Sequence, residues 1–180
     1  VAAVTVAMVL FVLAAAGFVF ACERSTGRLI RITKPLMMPL LAAAYLLASE
    51  SPTYWIVAGL LLGAIGDTAL IEADRGNRFL IGLAAFLLGH LAYIVALLAP
   101  VLRDGSPEPW MLPAAAALAV VGFFVYRLLR PGLGSMKAPV LLYTVVILAM
   151  ALAALLRAPV VSGPVVPGPA FWLPLLGAVF

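Results

Sequence analysis

Residues 1–21 carry no charged side chain and only one hydroxyl, Thr5. Five more apolar stretches follow, at 35–49, 54–71, 79–99, 113–126 and 139–156, each with at most one acidic, basic or histidine side chain. This pattern constrains the chain more than any motif does. A helix of about twenty residues crosses ~30 Å of hydrocarbon at ~1.5 Å per residue. Hydrophobic residues make up 66% of the 180 and charged ones 10%, against roughly 25% charge in soluble domains. There is too little polar surface to cover such helices in water, so the bilayer must be the solvent. The reading is an all-α, polytopic transmembrane helix bundle. It is one domain over 1–180, with six full spans and the start of a seventh at 171–180. A secretory signal competes for residues 1–21, but no basic segment precedes them and the run exceeds the usual ~7–15 apolar residues. The chain starts at Val1, and Phe180 falls inside an apolar run, so it reads as a piece of a longer protein. The runs at 35–49 and 113–126 are short for a span, and their helices are expected to extend into the flanks. Proline begins three runs, at Pro35, Pro113 and Pro139, where a helix loses least from a missing N–H.

The formal net charge is +4. In a soluble protein that balance would suggest nucleic acid; here the basic residues sit between apolar runs, and no nucleic-acid partner is expected. Segment 22–34 holds Arg24, Arg28, Arg31 and Lys34; 72–78 holds Arg75 and Arg78; 127–138 holds Arg127, Arg130 and Lys137. Those three segments hold nine basic residues, and the alternate ones hold two, Arg103 and Arg157. The nine-charge side is therefore expected to be cytoplasmic, in a cell membrane, with a bacterial inner membrane as the natural setting. Trp55, Trp110 and Trp172 fall near helix starts on the opposite side, as an interfacial belt requires. The stretch 158–169, rich in Pro, Gly and Val, reads as a structured external loop. The single cysteine, Cys22, excludes an internal disulfide and a cysteine-based metal site.

Ionisable groups at membrane depth are costly, so each is a candidate for function. Asp67 lies about one turn from the inner end of the third run. Gly59, Gly63 and Gly66 share a stripe of that helix with Asp67 on its flank. Small residues at this spacing let a neighbouring helix approach closely, which turns Asp67 inward. Its alternative role is structural, a carboxylate paired with Lys34 or Arg75. His90, near the middle of the fourth run, shares a face with Phe86 and Tyr93, with Gly82 and Gly89 on one flank. It is either a catalytic group or a hydrogen-bonded packing residue. A zinc site would need more ligands than one His and one Asp. Lys34 is either a snorkelling anchor or the group that meets a lipid phosphate at headgroup level. Tyr143 shares a face with Ile147 and Met150. It and Tyr93 are candidate substrate contacts. Glu72, Asp74, Asp104 and Glu108 read as solvated loop residues. Together the candidates describe a pocket open to the inner leaflet, suited to an amphiphile whose head meets Lys34.

Lys34-Pro35-Leu36, Gly66-Asp67-Thr68-Ala69-Leu70, the run from Phe79 through Gly82, Phe86 and His90 to Tyr93, and the run from Tyr143 to Met150 follow one another in the chain. In that order they resemble the YhhN-like lysoplasmalogenase family. The resemblance implies a membrane enzyme of about eight helices. Its members hydrolyse the vinyl-ether bond of lysoplasmalogens to a fatty aldehyde and a glycerophospho-ethanolamine or -choline. Two aspartates are the implied acid/base groups. Asp67 matches the first, and the second would follow a stretch that Gly177-Ala178-Val179-Phe180 resembles. The expected substrate is therefore a lysophospholipid taken from the surrounding membrane lipids, and no metal or organic cofactor is required. The chemistry suits a carboxyl pair. Cleavage needs a proton on the alkene carbon, then water on an oxocarbenium-like carbon, by analogy with glycosidases. Two other classes remain open: a transporter or proton-linked permease for a small amphiphile, which would more often show repeated halves, and a non-catalytic lipid-binding membrane protein. The oligomeric state is not legible.

Overall fold

The computed structural model describes residues 2–74, 76–104, 109–132, 134 and 137–162. Six α-helices account for most of them: α1 (Ala2–Glu23), α2 (Gly27–Ala48), α3 (Tyr54–Leu70), α4 (Arg78–Asp104), α5 (Met111–Leu129) and α6 (Lys137–Ser162). A 3-10 turn at Arg130–Gly132 follows α5. No described residue lies in a strand. All of these helices except α3 are long and apolar enough to cross a membrane. At 17 residues α3 is shorter, about 26 Å at 1.5 Å per residue, the lower end of what a span needs. The chain is thus an all-α, polytopic helical membrane protein. The expected seventh run lies outside the described residues.

The two short runs do extend. α2 begins at Gly27 and α5 at Met111. Pro113 and Pro139 fall in the first turns of α5 and α6, as expected. Pro35 does not: α2 starts eight residues earlier, so Pro35 and Pro39 both lie inside the helix. The basic segment 22–34 is accordingly not a loop. Arg28, Arg31 and Lys34 ride on the first turns of α2, where long cationic side chains can reach water from a helix end. α6 likewise runs to Ser162, into the stretch read from sequence as an external loop.

The chain divides into two compact units, Val1–Ala92 and Tyr93–Phe180, with α4 running through the boundary. In the first unit α1 packs on α2 and α2 on α3. Most buried positions are small: Ala7, Ala21, Ala42, Ala44 and Ala69 are among them, with Leu60 the large exception, while Leu13, Phe20, Leu47 and Trp55 are exposed. This arrangement suits lipid, where close helix approach replaces burial of large apolar groups. The turn into α2 is tight. Thr26 N–H donates to Ala21 O at 2.9 Å, and Ser25 adopts φ 54°, the left-handed position that usually ends a helix. At the other end of α2, the Tyr45 hydroxyl accepts from Thr53 N–H at 2.8 Å and so ties α2 to the start of α3.

In the second unit α5 packs on α6. A Cβ at Gly122 would run into the Leu148 side chain. Val146, Met150, Ala153 and Ala154 line the buried face of α6. Pro100 lies inside α4. It has no N–H to offer the carbonyl four residues back, Ala96. Arg157 Nη1 donates to that carbonyl at 3.5 Å. An arginine that sequence counting places in a loop thus belongs to α6 and serves a backbone group orphaned by a proline.

Candidate functional site

The site is built where α3 is held between two helices of the first unit. On one side α4 takes the glycine face. Gly59 and Gly66 are seven residues apart, two turns, and so are Gly82 and Gly89 on α4. A Cβ at Gly89 would lie 3.2 Å from Gly59 O, and one at Gly82 would lie 3.3 Å from Gly66 O. The helices run antiparallel with 59 opposite 89 and 66 opposite 82. A Cβ at Gly66 would sit 2.7 Å from the Phe86 ring. Gly59 and Gly66 therefore bring the α3 and α4 backbones close together, whereas Gly63, expected on the same stripe, faces α2, where a Cβ would lie 3.8 Å from Met38 Cγ.

Asp67 follows Gly66 and lies one turn from the end of α3. It is turned toward α2, where its Oδ1 stands 3.3 Å from Lys34 Nζ; the two side chains keep 12% and 26% of their exposure. Asp67 and Thr33 are the polar residues buried among those described. The Thr33 hydroxyl donates to Leu29 O on its own helix at 2.8 Å, so the Asp67 carboxylate is the buried polar group answered by a charge from another helix. Of the two partners open to it from sequence, Lys34 is the one observed. Arg75 lies outside the described residues.

Closer to the end of the unit is a second charged group that sequence reading missed. Glu72 was expected to be solvated. Its side chain is only 19% exposed: Oε2 lies 2.8 Å from Arg78 Nη1, and Oε1 lies 3.8 Å from Arg31 Nη2. The signal was in the spacing. Arg31 and Lys34 are three residues apart on α2, hence on one face. Asp67 near the end of the antiparallel α3 and Glu72 in the turn just beyond it meet them in reverse order. Asp74, by contrast, is exposed as expected.

His90, on α4 within the same unit, is half-buried, and its Nδ1 lies 2.6 Å from Phe86 O. A carbonyl only accepts, so Nδ1–H is the donor in this bond. Tyr93 and Tyr143 belong to the second unit, and both are half-buried. The structure thus brings Lys34 and Asp67 into contact and ties His90 to its own helix. Among the described residues no three His, Cys, Asp or Glu side chains are grouped as a metal ion would need.

A helical membrane protein with an inward-facing carboxylate paired to a lysine at one end of a helix cluster is the class that fold and site define. Its family follows from comparison: the YhhN family model matches residues 29–180, and the chain belongs to that family. Two curated relatives, from Mycobacterium bovis and Mycobacterium tuberculosis, are each named "Lysoplasmalogenase". Each is 38% identical to this chain over 98 residues, which is 53% of this chain and 37% of the relative. The match thus spans well under half the length of either relative. No solved structure matches the chain.

Proposed function

We propose that this chain belongs to a membrane-embedded hydrolase that cleaves the vinyl-ether bond of lysoplasmalogens, with Asp67 as an acid/base group. The observation that carries the reading is the Lys34–Asp67 pair at 3.3 Å, largely withdrawn from the surface. Membership of the YhhN family and the names of the two mycobacterial relatives support it. In the reaction a proton is delivered to the alkene carbon, and the ether-bearing carbon becomes an oxocarbenium. Water adds there, and the hemiacetal collapses to aldehyde and the free glycerol hydroxyl. Asp67 supplies or receives the proton. Lys34 holds it in position, and an ammonium has three donors, so others remain for a substrate oxygen. His90, whose Nδ1 bonds to Phe86 O on its own helix, is the second group we assign to proton transfer. The nine-charge side faces the cytoplasm, so the substrate enters from the inner leaflet.

The test is to incubate native membranes holding the protein with a 1-alkenyl lysophospholipid and quantify aldehyde and glycerophospho alcohol together. Equal amounts of both, absent from membranes without the protein, are expected. Intact lipid recovered in full would overturn the reading.

A further inference from the structure

We propose that Arg31 and Arg78, held by Glu72, form the seat for the phosphate of the ether lysolipid, one step further out than the Lys34–Asp67 pair. This rests on the hydrolase reading above and names the group that recognises the head of the substrate.

Charge is the first argument. Lys34 is matched by Asp67 at 3.3 Å. Arg31 and Arg78 share the Glu72 carboxylate, at 3.8 and 2.8 Å, so two positive charges meet one negative and a surplus remains for an anion. Exposure is the second. The Arg31 and Arg78 side chains are 59% and 48% exposed while Glu72 is 19%. The carboxylate sits beneath and the guanidiniums stand at the surface, where a headgroup lies. Each guanidinium presents five N–H donors in a planar fork that fits phosphate oxygens two at a time. The 2.8 Å contact with Glu72 holds the Arg78 fork in place, Arg31 stands beside it at 3.8 Å, and both keep further donors.

Reach is the third argument. Arg31 and Lys34, the partners of Glu72 and Asp67, are three residues apart on α2, about 4.5 Å along its axis, and the Arg31 side chain reaches outward beyond that. In a 1-alkenyl lysophospholipid five bonds separate the ether oxygen from phosphorus, about 6 Å at the ~1.2 Å per bond of an extended chain. A lipid with its ether oxygen at Asp67 therefore sets its phosphate at the level of Arg31 and Arg78. The resulting order along the end of the unit is phosphate at the arginines, ether at Asp67 and apolar chain beyond.

The test is equilibrium binding to the purified protein in neutral detergent. The probes are a radiolabelled, non-cleavable 1-alkyl lysophospholipid, its phosphate-free analogue 1-alkylglycerol, and inorganic phosphate as competitor. Both arginines are exposed, and exposed pairs contribute little to stability, so Arg31→Gln and Arg78→Gln are expected to fold. Each should weaken lysophospholipid binding roughly 10- to 100-fold, the range of a hydrogen bond to a charged group. The preference for lysophospholipid over 1-alkylglycerol should collapse with it, and Arg78→Lys should restore only part. Millimolar inorganic phosphate should compete weakly. If both Gln variants keep the wild-type preference, the seat is elsewhere. If inorganic phosphate displaces the lipid as well as unlabelled lipid does, the site is one for free phosphate and the assignment fails. Aldehyde release is scored separately on the vinyl-ether substrate. Cleavage with no arginine-dependent binding overturns this inference alone, whereas arginine-dependent binding with no cleavage overturns the hydrolase reading alone.

Discussion

Replacing Asp67 with Asn keeps the shape of the side chain and removes its charge and its transferable proton. Two losses follow, and they can be separated. The first is structural. Lys34 Nζ loses the carboxylate 3.3 Å away. Breaking a fully buried pair costs about 3–5 kcal/mol. Lys34 keeps 26% of its side-chain exposure and can lead its ammonium outward on a flexible stem, so the cost falls to roughly 1–2 kcal/mol, nearer that of an unmade hydrogen bond. The second loss is chemical. Removing an acid/base group lowers the rate by about 10²–10⁴, or roughly 3–5 kcal/mol in the barrier at ~1.36 kcal/mol per tenfold. The assay measures aldehyde release and thermal unfolding for wild type, Asp67→Asn, Lys34→Met and the double variant, at matched protein levels. A double-mutant cycle then isolates the pair. Stability should be partly recovered in the double variant, since no unpaired charge remains, while activity stays lost. If Asp67→Asn keeps activity within a few-fold, or if activity returns together with stability in the double variant, Asp67 is a structural residue and the mechanism is wrong.

The close approach of α3 and α4 predicts that Gly66→Val drives its branched side chain into Phe86, 2.7 Å from where a Cβ would stand. The unfolding midpoint should drop by the equivalent of about 1–3 kcal/mol, the cost of overpacking, and Phe86→Leu should recover part of it. The Arg157–Ala96 bond predicts non-additivity. Arg157→Gln should destabilise the protein by about 1 kcal/mol, but much less when Pro100→Ala has returned an N–H to the Ala96 carbonyl; equal effects in both backgrounds would mean Arg157 acts otherwise. Reporter fusions at Gly76 and Gly132 should both report cytoplasm, and a signal from the other side at both would reverse the orientation.

The helical membrane fold was legible because the bilayer imposes it. Uninterrupted apolar runs of span length have few other uses, and the bounds of α3 and the start of α4 lie within a residue or two of their runs. Helix starts were less legible. Pro35 reads as a first-turn residue, yet α2 begins at Gly27 because Arg28, Arg31 and Lys34 are long enough to stay hydrated while their backbone is helical. In the site, the burial of Asp67 was legible from the glycines around it, which mark where neighbours approach: Gly59 and Gly66 meet α4, and Gly63 meets Met38 on α2, the helix that Asp67 faces. Its choice of Lys34 was not, because selecting between Lys34 and Arg75 needs the register of two helices. Glu72 was missed for the same reason. Its burial comes from Arg31 and Arg78 on two different helices, and no single segment records that meeting.

The central claim is that a vinyl-ether bond is broken on the aldehyde side by water. Cleavage of a 1-alkenyl lysophospholipid in heavy-oxygen water tests it most directly, with the mass of the glycerophospho alcohol as the readout, because its hydroxyl oxygens do not exchange with solvent. The account predicts an unlabelled alcohol formed in step with fatty aldehyde. Heavy oxygen in the alcohol, or lipid that crosses the membrane intact with no aldehyde formed, would contradict it.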